Sequence, residues 1–190
     1  MPNMKTIAVA FDREKALNTI LYIARHIETA DFHKVFKILY FAEQKHLAKY
    51  GSTIVGDVFV AMKNGPVPSK IYDILKALRN ELAFQVDTQF EKKLIEIKEN
   101  HYIQPVGEVD MEMLSESEVE CLNDSIQENK SLSFLSLADK AHDEAWKKAD
   151  TNDNISIFEI AKTGGADPSM IQYIREVLEN QNALTNASVG

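Results

Sequence analysis

The chain has 190 residues, 45% of them apolar, and a formal net charge of −8. That length and apolar share suit one domain with a hydrophobic core, while the acidic balance excludes a general nucleic-acid binder, which needs a basic face for phosphates. Cys121 is the only cysteine, so no intrachain disulfide forms and a reducing cytoplasm is expected.

The N-terminal stretch has a short apolar run but no signal-peptide core. No segment reaches the roughly 18 apolar residues that read as a membrane span. The first helix is expected over about 12–28. Asp12 is its N-cap, and Ala16, Leu17, Ile20, Ile23, Ala24 and Ile27 form its buried stripe. Asp31 caps a second helix running to Tyr50, with Gly51 as its left-handed stop.

Asp57–Lys63 is β-branched and aromatic and reads as a strand. Asn64-Gly65 marks a turn, and Gly65-Pro66-Val67-Pro68 reads as a turn that opens a helix, with Pro68 at its first position. Ile71, Ile74, Leu75 and Leu78 form that helix's stripe. Residues 81–93 show no clear period. Leu94–Lys98 and His101–Gln104 read as two strands around Glu99-Asn100.

Ser115 and Glu118 form a capping box before Val119, Leu122 and Ile126. Leu132–Ala149 is expected to be one helix, with Leu135 and Ala138 facing in. Ser156 and Glu159 form a second capping box, for a short helix that stops at Gly164-Gly165. Asp167-Pro168 opens a last helix to about Asn180, and 183–190 is expected to fray. The expected fold is therefore α-rich α+β: a single helical domain over 1–182 with a small β-sheet or hairpin.

Charge is unevenly spread. Residues 1–98 hold 15 Lys/Arg and 11 Asp/Glu, whereas 99–129 hold 9 acids and no Lys/Arg. The segment Glu108–Glu128 is thus either a solvated acidic face or a steering surface for a basic partner, and the sequence leaves both open.

No catalytic or metal-binding pattern stands out. The five histidines form no H-E-x-x-H pair, and there is no G-x-S-x-G, P-loop or dinucleotide loop. Cys121 lies among acids, which disfavour a thiolate. Asp143-Glu144 after His142 reads as the solvated side of a helix, with an acid/base pair as the alternative. No cofactor and no enzyme activity are expected.

Lys37, Leu39, Tyr40, Phe41 and Ala42, then Gly51, then Gly65, Pro66, Val67, Pro68 and Tyr72, make a K-x-L-Y-F-A helix, a glycine stop and a G-P-V-x-x-x-x-Y turn. This run resembles the Panacea domain, the family of SocA-like antitoxins and phage-associated GepA-like proteins. Leu137, His142 and Trp146 resemble a second block of that family, although Ala141 stands where a hydroxyl residue is usual. The resemblance implies a bacterial or prophage antitoxin that holds a cognate toxin encoded nearby, or in some members delivers it to a protease. It implies no enzyme activity, while the acidic balance and the lack of a long apolar segment lead to the expectation of no nucleic-acid and no membrane partner. Lys37, Tyr40, Phe41, Gly65, Pro66, Val67, Tyr72, His142 and Trp146 are the candidate partner-contacting residues, with core packing and turn architecture as their alternative roles.

Two other readings stand beside this one. The helices around Gly164-Gly165 could form the helix-turn-helix of a transcription regulator, though Arg175 is the only cation on the would-be recognition helix. A phage accessory or adaptor role is the other.

Overall fold

A computed structural model describes residues 10–81 and 87–187, apart from the side chains of 182 and 184–187. Residues 1–9, part of the unreadable 81–93 stretch, and the last three residues of the expected tail lie outside these. The described residues are 58% helical, with two small antiparallel two-stranded sheets among them, an α-rich α+β fold as the sequence implied.

Helix α1 (Arg13–Arg25) begins where Asp12 accepts from the Lys15 N–H at 3.0 Å. Helix α2 (Phe32–Tyr50) is capped by Asp31 through Lys34 N–H at 2.9 Å, and ends at Gly51 with φ +72°. Of its 19 residues, 13 are buried, so α2 is the central element of the fold and not a surface amphipath. Around it pack α1, the β1–β2 hairpin (Phe59–Met62 and Gly65–Pro68), α5 (Glu116–Asn129), α6 (Phe134–Ala141) and α8 (Ile157–Thr163). The core runs through Leu17, Ile20, Val35, Leu39, Tyr40, Phe59, Leu75, Leu122, Leu137 and Ile174.

The Gly-Pro-Val-Pro run differs from its expected role. It is strand β2, paired with β1 in the register Phe59↔Pro68 to Met62↔Gly65, and the turn is Lys63-Asn64. Two prolines are tolerated because β2 is an edge strand, where missing N–H groups break no ladder. Pro68 is the extended N-cap of α3 (Ser69–Leu78), not its first residue, and supplies no side-chain cap. Asp57 takes over that task from a distance, accepting from Lys70 N–H at 3.0 Å and Ile71 N–H at 2.9 Å.

A single turn, α4 (Glu91–Leu94), leads into hairpin β3–β4 (Ile95–Lys98 and Tyr102–Pro105). Glu99 and Asn100 turn it with φ of +48° and +63°, and His101 belongs to the turn rather than to the strand. A short 3-10 turn, Met111–Met113, precedes α5. The capping box of α5 is present in both directions, with Ser115 N–H to Glu118 at 2.8 Å.

The expected long helix over 132–149 is broken. α6 ends at His142, and Asp143 caps a new short helix, α7 (Glu144–Lys148). Leu135 does not face in: it is 72% exposed. The second expected capping box is also absent. Ser156 makes no side-chain cap hydrogen bond, and the Glu159 carboxylate is held by Lys148 and Lys162 instead of reaching back to the cap. Gly164 does more than stop α8, since a Cβ there would collide with the Gln44 carbonyl on α2. The last helix, α9 (Pro168–Ala187), continues past the expected stop near Asn180.

Part of the charge asymmetry resolves inside the chain. Lys15–Glu118, Arg25–Glu108, Lys45–Glu128 and Lys49–Glu120 join α1 and α2 to the acidic segment.

Candidate functional site

The residues of the sequence motifs converge on one joint between α2, the β1–β2 hairpin and the α6–α7 break. Asp143 sits at its centre. One carboxylate oxygen, Oδ1, accepts from Trp146 N–H at 3.0 Å and from the Tyr40 hydroxyl at 3.1 Å. The other, Oδ2, accepts from the Gln44 amide at 2.6 Å. A short polar side chain at a helix start is a natural cap; here the same carboxylate also ties that cap to α2. Trp146 reaches back to the hairpin and donates its indole N–H to Met62 O at 3.0 Å. His142 stacks on Trp146 with ring centroids 3.9 Å apart, and its Nε2 lies 3.1 Å from Lys63 O.

Lys37 closes the opposite side of the joint. Its ammonium donates to Pro66 O at 2.9 Å, and the residue is 1% exposed. Burial pushes its pKa down to about 7, against the opposing pull of Asp31. Gly65 makes room for it. A Cβ at Gly65 would lie 2.7 Å from Lys37 Cε, and φ there is +98°, a conformation that costs an L residue strain. Burial, then the Asp143 charge, raises the Tyr40 phenol far above its ordinary range, so it remains a donor.

The nine candidate contact residues therefore fall into two groups. Lys37, Tyr40, Phe41, Gly65 and Pro66 are buried and offer no surface to a partner in this conformation. Their roles are architectural, because helix α2 is enclosed on nearly all sides. Val67, Tyr72, His142 and Trp146 are half-buried at the rim. Tyr72 packs edge-on to Phe36 at 5.8 Å.

Several residues that matter here were missed, or read in another role, from the sequence. Asp143 is not solvated; the cap signal Asp-x-x-Trp was available, but the uninterrupted helical pattern masked it. Gln44 gave no signal. Glu43 is buried and accepts from Ile54 N–H at 2.8 Å and Val55 N–H at 3.0 Å, tying the loop after α2 to the helix; burial raises its pKa to about 7. His33 is pressed under Phe134 at 3.9 Å, with both ring nitrogens buried and unbonded. Burial, and then the Lys37 charge, lowers its pKa to about 4.

The joint contains no nucleophile–base pair. The Cys121 thiol is buried and pushed up to about 11 by burial and then by Glu120. Among the described residues no group of three or more His, Cys, Asp or Glu could hold a metal, and no helix is long and apolar enough to cross a membrane. Arg175 of α9 lies over the Phe158 ring at 4.5 Å rather than reaching outward.

The joint is thus a buried polar framework with half-buried aromatic side chains at its rim. The family model described as antitoxin SocA-like, Panacea domain, matches residues 35–147, more than half of the chain. The chain belongs to this antitoxin SocA-like, Panacea domain family. No curated protein and no solved structure gives a match.

Proposed function

We propose that this chain is an antitoxin that silences a toxin encoded nearby by direct protein–protein contact, in the cytoplasm of a bacterium or of a phage-infected cell, without catalysis of its own. The observation that carries this reading is the family match over 35–147, which spans the whole joint from α2 to Trp146. The absence of a nucleophile–base arrangement in that joint is in keeping with it. The joint fixes the backbone of the hairpin tip and of α6, so that the rim presents a rigid surface. Pre-organisation of this kind lowers the entropic cost of association.

Expressing each flanking gene alone, and then with this chain, tests the reading. A neighbour that arrests growth alone and is neutralised by co-expression, with both proteins recovered as one complex, is the expected outcome. If toxin abundance falls on co-expression, delivery to a protease replaces simple masking. If no neighbour is toxic, the reading fails.

A further inference from the structure

Two large apolar side chains stand in solvent at the first turn of α6. Phe134 is 48% exposed and Leu135 is 72% exposed. Phe134 stacks on His33, whose two ring nitrogens are buried without a hydrogen-bond partner. Orphaned polar atoms of this kind are rare in folded chains and call for an explanation. The backbone of Asn64, at the hairpin tip, approaches the same ring and brings the tip beside it.

The surrounding charge is positive. Lys63 and Lys130 are exposed, and Lys34 donates to the Lys130 carbonyl at 3.0 Å. Among the described residues none of these three lysines meets a carboxylate, whereas Lys15, Lys45 and Lys49 are all paired with α5. Two acids lie close by: Asp31, occupied in capping α2, and Asp139, exposed one turn beyond Leu135. An apolar pair flanked by segments that carry uncompensated lysines, on a chain of net charge −8, is complementary to an acidic segment with an apolar side chain at its centre. A nucleic acid would instead want its cations at the centre of the contact, where Phe134 and Leu135 stand.

We propose that this face, formed by the first turn of α6, the β1–β2 hairpin tip and His33, is where the toxin docks, and that it takes an acidic segment of the toxin carrying an apolar side chain. The inference rests on the antitoxin reading above. Phe134 and Leu135 receive the apolar group, and the lysines steer and hold its carboxylates.

The test uses the full chain and the toxic neighbour. Leu135→Glu and the triple variant Lys34→Glu, Lys63→Glu, Lys130→Glu alter only exposed or half-buried positions, and both should melt like the parent. Glu112→Lys, in the 3-10 turn that packs on α1, is the control. The expected result is loss of growth rescue by Leu135→Glu. The triple variant should associate roughly tenfold more slowly or worse at low salt, with a flattened salt dependence, and the control should behave as the parent. Full rescue and parental association by both variants would overturn the docking face while leaving the antitoxin reading intact. Retention of a labelled DNA duplex by the parent but not by the triple variant would assign the face to nucleic acid and overturn it too. If the parent neutralises no neighbour, the antitoxin reading fails and this inference falls with it.

Discussion

Removing the Asp143 carboxylate should damage the fold more than any other single change at the joint. Asp143→Ala deletes the cap of α7 and strands two buried donors, the Tyr40 hydroxyl and the Gln44 amide, which are 0% and 8% exposed. Loss of a cap costs about 1 kcal/mol. Each hydrogen bond to a charged acceptor contributes about 1.5–3 kcal/mol, and a donor left buried and unbonded costs most of that. The expected total is about 3–5 kcal/mol, which for a chain of this size lowers Tm by about 10 °C. Trp146, the only tryptophan, lies in the joint and reports its loss in a urea titration followed by fluorescence. Asp143→Asn keeps the cap but points one amide at another, and should cost about 1–2 kcal/mol. Tyr40→Phe combined with Asp143→Ala should be less destabilising than the sum of the two, by about 1–2 kcal/mol. If Asp143→Ala unfolds within 1 kcal/mol of the parent, the carboxylate does not hold the joint and the account of α6–α7 fails.

Other consequences follow from the same contacts. Gly65→Ala should destabilise by about 2–4 kcal/mol, from the left-handed backbone and the collision with Lys37 Cε together; a parental urea midpoint would show that Lys37 moves aside freely. Lys37 is held at about 7 against an ordinary 10.5. Between these values the unfolded chain binds a proton that the folded chain lacks, so this residue makes stability rise as pH climbs from 7 to 9. Lys37→Met should flatten that rise, and equal slopes in urea titrations at the two pH values would refute it. Glu43 acts in the opposite sense. Its pKa, raised from 4.5 to about 7, lets the folded chain hold the extra proton in that window, so its contribution to stability falls as pH rises through it; Glu43→Gln should remove that fall. Neutralising Glu112, Glu116 and Asp124 together should leave association with the toxin unchanged, because no partner for an acidic face is needed. A slower association rate would return the acidic segment to the interface.

The local signals in the sequence held where one residue decides one geometry. Asp12, Asp31, Ser115 and Gly51 each act through the nearest turn of backbone, and each helix end stands where the cap placed it. The failures share a different cause. The break at His142-Asp143 is fixed by Tyr40 and Gln44, about a hundred positions away along the chain, and no helical period records that. Gly-Pro-Val-Pro reads as a turn by composition, yet its partner strand and the Lys37 ammonium hold it extended. Leu135 was given to the core by spacing alone, when the chain turns it outward. The acidic run is mostly an exposed face, as one of its two readings had it, but four of its acids are tied to bases on α1 and α2 that the charge count did not locate. The residues of the family motif meet at one joint, and five of the nine candidates lie buried beneath its rim.

The joint also makes the domain sensitive to where its chain stops. Tyr40 and Gln44 emerge early in synthesis, but their acceptor follows only at Asp143, and the indole that pins the hairpin only at Trp146. The family match itself closes at residue 147, directly after that tryptophan. A chain that terminates early, or is clipped between α5 and α7, keeps the buried donors and loses what satisfies them. Such a fragment is expected to pack more loosely than the intact chain, because buried donors without acceptors cost stability.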